Sequence, residues 1–166
     1  TSPDLIWESD AEGRLTFVSG LAEKVLGRPV GDLTGRHFAE IVEPSTLEAA
    51  MAGWEAMLRA PHAVQVARFS LLAAGGSGVP IENVALPLVV DGRFAGARGA
   101  ARDIRERERL ERELRESEER YRDLVQTSPD GVWQADADGI FTFWSDTAAA
   151  LTGYPPGTVV GRHWSM

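Results

Sequence analysis

Cysteine is absent from this chain of 166 residues. Its absence excludes disulfide bonds, thiolate nucleophiles, cysteine-ligated zinc and a covalent cysteinyl-flavin. A reducing cytoplasm is compatible with such a composition, and we expect a cytoplasmic location. Long hydrophobic runs are also missing, because stretches such as residues 81–90 fall far short of the roughly 20 residues that a membrane-spanning helix requires. The sequence therefore predicts a segment that lies outside the membrane.

Basic charge and histidine are both scarce. The net charge is −8 and the isoelectric point is near 4.9, which argues against a nucleic-acid partner because such a partner needs a basic surface. Of the three histidines, His37 and His163 both follow a Gly-Arg pair, which indicates a shared structural role. No spacing in the chain places a nucleophile beside a general base. We therefore expect no catalytic site here and do not predict an enzyme.

The chain contains an internal repeat. A shift of 126 positions sets residues 1–4 on the identical residues 127–130 and continues without a gap to Met166, and eighteen of the 40 aligned pairs are identical. A period of this length suits a domain of about 100 residues followed by a connector. We expect one complete domain at residues 1–104. Residues 127–166 would then be the truncated N-terminal part of a second copy.

Strand and helix patterns occur in a defined order within the first copy. Two short strands joined by a glycine turn come first, followed by short helices, a long helix from Ser45 or Thr46 to Leu58 and three further strands. The predicted strands span residues 5–10, 14–19, 63–72, 79–89 and 93–102. This order predicts an α+β domain, with a five-stranded antiparallel sheet and helices on one face.

A highly charged segment follows the last predicted strand. Seventeen of the 22 residues from Arg102 to Asp123 are charged and none is glycine or proline, which predicts a helix. An apolar seam recurs along it at 4-3-4-3 spacing, at Leu110, Leu114, Ser117, Tyr121 and Leu124. The pattern favours a helical coiled-coil linker over residues 105–126 and hence a homodimer. A single helix packed on its own domain is the alternative.

Taken together, these features resemble the PAS domain family. The stretches that carry the resemblance are Ser2-Pro3-Asp4 before Asp10-Ala11-Glu12-Gly13, Leu26-Gly27 with Leu33-Thr34-Gly35-Arg36, Leu86-Pro87-Leu88, and Arg102-Asp103-Ile104 before Glu116 to Arg122. Two positions depart from the family pattern, since Arg105 stands where a threonine usually follows Asp-Ile and Ser19 stands where an asparagine commonly follows the second strand. The resemblance implies a tandem PAS region of a bacterial signalling protein, such as a sensor histidine kinase or a diguanylate cyclase.

The resemblance also implies a ligand pocket between the sheet and the longest helix. The side chains expected to line it are Met51, Trp54, Leu58, Phe69, Leu71, Val84, Leu86 and Leu88. Plain core packing is the alternative for all of them. Arg98 is the best candidate to meet an acidic ligand group, and a solvent-facing or salt-bridged arginine is its alternative.

The cofactor is not identified by the sequence. Haem-binding members of the family usually place the axial histidine in the longest helix, and residues 47–60 contain none, which argues against haem. A flavin bound without a covalent bond remains an open alternative, because its contacts leave no short motif.

A signal relay is expected where the sheet ends. Asp103 and Ile104 would pass a small shift from the sheet into the linker helix, and through it to a downstream output domain. A ligand-free dimerisation or spacer domain is the second interpretation, and it predicts no cavity beyond packing defects.

Two further expectations concern surfaces. The small side chains of residues 95–101 predict either a covering helix on the outer face of the last strand or a wider pocket on its inner face. In the second copy, Trp133, Phe141 and Phe143 are expected to be exposed unless another chain covers them.

Overall fold

The computed structural model describes residues 4–165, so residues 1–3 of the repeat lie outside the described residues. The chain forms two compact units, Thr1–Glu108 and Arg109–Met166. The elements of the first unit are β1 (Leu5–Asp10), β2 (Leu15–Val18), α1 (Leu21–Leu26), α2 (Val30–Leu33), α3 (Leu47–Arg59), β3 (Gln65–Leu72), β4 (Gly78–Val90) and β5 (Arg93–Asp103). Single 3-10 turns at Phe38–Glu40 and Pro44–Thr46 lead into α3.

The five strands of the first unit form one antiparallel sheet. Its strand order is β2-β1-β5-β4-β3, so the first and last strands in sequence are neighbours at its centre. This arrangement confirms the predicted α+β class and the five-stranded antiparallel sheet. The register pairs Trp7 with Gly99 across β1 and β5, and Ala85 with Gly99 across β4 and β5.

The tight turn between β1 and β2 is closed by one side chain. The Asp10 carboxylate accepts hydrogen bonds from the backbone amides of Glu12, at 3.1 Å, and Arg14, at 2.8 Å. Gly13 occupies this turn with φ of 84°, which a residue with a β-carbon rarely adopts. The hairpin that the sequence predicts therefore has a local cause in Asp10 and Gly13.

Side chains alternate between the two faces of the sheet, as the pleat requires. On β4 the inward residues Val79, Ile81 and Ala85 are buried, and on β5 the inward residues Ala97 and Ala101 are buried. The helices and turns that follow β2 supply the other side of the core through three buried residues, Leu26, Leu33 and Ile41. The core thus lies between one sheet face and the helices.

A long helix, α4 (Arg105–Thr127), follows β5, and the second unit contains most of it. The further elements of that unit are β6 (Trp133–Ala135), β7 (Phe141–Trp144), α5 (Asp146–Thr152) and α6 (Pro156–Val159). Within the described residues no helix is both long and apolar enough to cross a bilayer.

The second unit repeats the local geometry of the first. The Asp136 carboxylate accepts from the amides of Asp138 and Ile140, as Asp10 does in the first copy. His37 and His163 each use Nδ1 to accept a hydrogen bond from the backbone amide two residues later, at 3.2 Å in both copies. Both histidines therefore have a structural role in the same turn.

The aromatic residues of the second unit are only partly covered. Trp133 is 59% exposed, but Phe141 and Phe143 are half-buried, so the expectation of exposure was wrong for these two. The rings of Trp133 and Trp144 contact Phe141 edge-on, at centroid distances of 5.7 Å and 5.1 Å. These contacts explain why Phe141 is less exposed than the sequence alone indicates.

Candidate ligand cavity and signal junction

A cavity of about 70 Å³ lies in the core of the first unit, between the inner face of the sheet and α3. Three of the residues that the sequence assigns to a pocket line it, namely Trp54, Phe69 and Leu71. Most of the remaining lining is aliphatic or aromatic. The cavity occupies the place where the sequence predicts a pocket.

The wall that α3 presents differs from the predicted one. The helix turns Ala50, Gly53, Trp54 and Met57 toward the cavity, whereas Met51 and Leu58 do not line it. A β-carbon on Gly53 would lie 3.7 Å from the β-carbon of Ala67 on β3, so the small side chains let the helix approach the sheet closely. Of the three predicted helix residues, Trp54 lines the cavity, and Met51 and Leu58 do not because they lie off the face that carries Ala50, Gly53, Trp54 and Met57.

The sheet wall is also shifted by one residue from the prediction. Asn83 and Ala85 of β4 line the cavity, so their neighbours Val84 and Leu86 point to the outer face, where they are 37% and 42% exposed. Leu88 does not line the cavity either. Because β4 carries apolar residues at both odd and even positions, its sequence did not distinguish the two faces.

Arg98 does not reach the cavity. Its neighbour Ala97 is fully buried on the inner face, which turns Arg98 outward to an exposed position. The prediction that Arg98 could meet an acidic ligand group in this cavity was therefore wrong. The reason is the two-residue period of the strand.

A hydrogen bond crosses the central strand of the sheet on its inner face. The indole Nε1 of Trp7 on β1 donates to Oδ1 of Asn83 on β4 at 2.8 Å. The two strands are separated by β5, and the indole passes over β5 at Gly99, where an added β-carbon would lie 2.8 Å from Cζ2 of Trp7. The small residues of β5 thus make room for Trp7. This is the structural reason for the run of small side chains on the inner face.

The cavity lining contains two amide side chains and no charged one. Asn83 is only 7% exposed, and Gln65, at the start of β3, lines the same cavity. Gln65 pairs with Ala85 across the two strands, so Gln65 and Asn83 are diagonal neighbours on the inner face. A lining of this kind is unfavourable for an ion, which would lose its hydration without gaining a charged partner.

The lining of the cavity bears on the cofactor. The cavity measures about 70 Å³, and its mostly apolar lining carries no charged group or histidine that would mark a particular cofactor. Among residues 4–165 no group of three histidine, aspartate or glutamate side chains is placed to hold a metal ion.

The sheet is joined to α4 by a compact set of contacts. The amide of Ile104 donates to the carbonyl of Pro80 on β4 at 3.1 Å, and the Ile104 side chain is buried. The Asp103 carboxylate accepts from the Arg105 backbone amide at 3.0 Å and pairs with the Arg105 guanidinium at 2.6 Å. A carboxylate at this place also suits the positive end of the helix dipole. Asp103 and Ile104 are the anchors at the start of α4.

The pKa of Asp103 reflects two opposing causes. Burial raises the pKa of the carboxyl, but the hydrogen bonds and positive charge of Arg105 more than offset this, so the pKa lies below its ordinary value. The pKa of the Arg105 guanidinium is raised by the same pair. A carboxyl with a lowered pKa stabilises the folded state above the ordinary aspartate pKa, and this contribution is lost as the pH falls through the lowered value.

The apolar seam of α4 is exposed along its length. Leu110 is 52% exposed at one end and Leu124 is 71% exposed at the other, and Leu114 and Tyr121 lie between these values. An ion pair between Arg109 and Glu113, at 2.7 Å, lies beside the seam at the (i, i+4) spacing that supports an isolated helix. The seam is thus available on the surface of a regular helix.

Comparison with known proteins identifies the family. A family model described as the PAS fold matches residues 1–109, and a second PAS fold model matches residues 119–166. The chain belongs to the PAS family. PAS domains are commonly sensory or signalling modules, found for example in histidine kinases, and they are generally not catalytic themselves. The internal repeat therefore corresponds to two matches to the same fold.

Solved structures support the same fold. The PAS domain of a Colwellia psychrerythraea protein is 19% identical, with a TM-score of 0.57, and the match covers 63% of this chain and 89% of that one. A structure titled sensory box histidine kinase/response regulator, from Burkholderia thailandensis, is 21% identical, with a TM-score of 0.58, and the match covers 74% of this chain and 92% of that one. At these identities the likeness shows the fold alone.

A curated relative extends over nearly the whole chain. It is uncharacterized protein y4lL of Sinorhizobium fredii, which is 25% identical over 163 residues. The match covers 98% of this chain and 20% of that protein, so the chain spans about one fifth of the relative's length.

The contact between Trp7 and Gly99 gives a first testable prediction. We expect Gly99→Ala to destabilise the first unit by about 1–3 kcal/mol, because the added methyl group would meet both the Val84 carbonyl and the Trp7 ring. Gly75→Ala is the control, since no atom lies within 4 Å of a β-carbon at that position. Urea unfolding of both variants measures the difference, and equal midpoints would contradict the packing described for Trp7.

The junction gives a second prediction. We expect Arg105→Gln to raise the pKa of Asp103, because burial then acts without the opposing charge and side-chain hydrogen bonds. An NMR titration of the Asp103 carboxyl carbon measures this shift directly. Arg112→Gln, seven residues further along α4, is the control and should leave the pKa unchanged. An unaltered Asp103 titration in Arg105→Gln would show that the ion pair does not set it.

Proposed function

We propose that the first unit is a sensory domain that binds a small molecule in its cavity and relays binding through α4 to a downstream output domain. The observation that carries this proposal is the cavity itself, since it contains the buried amide of Asn83 among otherwise mostly apolar residues. A core without a ligand role gains stability from being filled, whereas a cavity lowers stability. The cavity is best explained by an occupant.

A short path connects the cavity with the start of α4. Asn83 pairs with Ala101 in the register of β4 and β5, and two residues further along, Ile81 pairs with Asp103. Next to this pair, the Ile104 amide donates a hydrogen bond to the Pro80 carbonyl. A small shift of β4 against β5 at Asn83 would therefore move the two anchors of the helix, Asp103 and Ile104.

The exposed seam of α4 supports a parallel homodimer. Its 4-3-4-3 spacing is that of a coiled coil, in which two helices bury such a seam against each other. Two copies joined in this way would carry the relay as a paired helix, whose small rotation or shift reaches the next domain. We place the protein in the cytoplasm because the absence of cysteine is compatible with a reducing compartment. We place it in a multi-domain signalling chain because the related protein is about five times as long as this chain.

The small size of the cavity favours a second candidate function. At about 70 Å³ the space is close to the upper range of a packing defect. The first unit would then be a ligand-free domain that spaces and dimerises its neighbours through α4. The two candidates agree on the dimer and differ on the occupant.

Native mass spectrometry of the full chain, purified under mild conditions, tests both parts. We expect a dimer that carries extra mass, and we expect denaturation to release a small organic molecule. Leu114→Gln should yield a monomer that keeps the bound molecule, because the seam and the cavity lie in different units. Arg115→Gln is the matched control, since it introduces the same residue at the next position, which lies outside the seam. This variant should remain dimeric.

The outcomes separate the two candidates. A dimer without any bound molecule, in repeated preparations, would favour the spacer function and contradict sensing. A dimer that persists in a Leu110→Gln, Leu114→Gln double variant would contradict the role of the seam.

A further inference from the structure

Asn83 presents an amide group whose orientation is set by its neighbour. The indole N–H of Trp7 can only donate, so the atom of Asn83 that it contacts at 2.8 Å must be the oxygen. The NH₂ group, Nδ2, is therefore on the other branch of the amide and donates to no other side chain or backbone atom within the described chain. The Trp7 contact thereby removes the usual ambiguity between amide nitrogen and oxygen.

An NH₂ group that faces a cavity needs an acceptor within that cavity. Leaving one unpaired costs about 1–3 kcal/mol relative to its hydration in water. Asn83 is 7% exposed and lines the cavity, so an acceptor for Nδ2 has to come from within that space. A valine or leucine at this position would fill part of the cavity without that cost. The residue type thus indicates an occupant that accepts a hydrogen bond.

Gln65 places a second amide beside Asn83. Its side chain lines the cavity diagonally across from Asn83 and has no hydrogen-bond partner among residues 4–165. Apart from Trp7 and Trp54, the other lining side chains carry no hydrogen-bonding N–H or O–H group. The two amides are therefore placed on one wall of a space that is otherwise hydrophobic.

We propose that the cavity binds a small, uncharged, mainly hydrocarbon molecule with a carbonyl oxygen, which accepts a hydrogen bond from Nδ2 of Asn83. Gln65 provides a second contact for a polar atom of the same molecule. The absence of any charged lining residue excludes carboxylates, phosphates and ammonium ions, because each would be desolvated without a counter-charge. The space of about 70 Å³ favours a small molecule. This inference rests on the proposed sensory function and specifies its ligand class.

Cyclopentanone is a suitable probe, and methylenecyclopentane is its match without the carbonyl oxygen. NMR titration of the full chain follows the side-chain NH₂ of Asn83 and the indole N–H of Trp7. We expect cyclopentanone to shift the Asn83 NH₂ resonances and to bind about tenfold more tightly than methylenecyclopentane, as one net hydrogen bond allows. Cyclopentylammonium and cyclopentanecarboxylate should not bind.

Two variants strengthen the test. In Asn83→Val, the ratio of the affinities for cyclopentanone and methylenecyclopentane should fall to about one. Gly53→Val should abolish binding of both neutral probes, because the new side chain fills the cavity while Asn83 stays in place. If Asn83→Val does not fold, the Asn83 NH₂ shifts in the unaltered protein still decide the question.

The outcomes distinguish this inference from the proposed function. Equal binding of both neutral probes, or binding of a charged probe, would overturn the ligand class and leave the cavity as a sensory site. Binding of cyclopentanone without a response at Asn83 would overturn the assigned contact. Failure of all probes, together with an empty protein in native mass spectrometry, would overturn the sensory function as well.

Discussion

The structure of the first unit depends on the hydrogen bond between Trp7 and Asn83 across the central strand. Trp7 belongs to the first strand and Asn83 to the fourth, and the indole lies over Gly99 of the fifth strand to reach the amide oxygen. This contact links three strands on the face that packs against the helices. It favours glycine at position 99 of β5, because a larger side chain there would occupy the space of the ring.

The same contact determines the chemistry of the cavity. Because the indole holds the amide oxygen, the amide nitrogen is presented to the interior, and the cavity acquires a hydrogen-bond donor on a hydrophobic wall. Asn83 also lies two residues from the pair of Ile81 and Asp103, where the sheet meets α4. In the proposed function, an occupant that pulls on Asn83 would act on a strand whose backbone is hydrogen-bonded to the start of the helix. The proposed site and the proposed relay would then be joined by backbone pairing over a short distance.

Much of the fold could be predicted from the sequence, because its signals are local. The element order could be predicted from the turn at Asp10 and Gly13, the helical pattern of α3 and the glycine-containing hairpins. The internal repeat indicated the second copy. The cavity wall could not be predicted as well. Apolar residues occur at both odd and even positions of β4, so the pattern did not show which face is buried. Val84 and Leu86 were therefore placed on the inner face, whereas the structure buries Asn83 there. On α3 the inward face carries the small residues Ala50 and Gly53 as well as Trp54 and Met57, so the size of the apolar residues did not identify it. Both errors concern packing between elements distant in sequence. The one signal that pointed to Asn83 was its type, since it is the only uncharged polar residue of β4.

The central claim is that Trp7 and Asn83 form one energetic unit within the core. A double-mutant cycle tests it most directly, with Trp7→Phe, Asn83→Ala and the double variant compared by urea unfolding, followed through backbone amide resonances of β5. The account predicts a coupling free energy of about 0.5–1.5 kcal/mol between the two positions. Effects that add within about 0.3 kcal/mol would contradict it, because they would show that the indole and the amide stabilise the sheet independently.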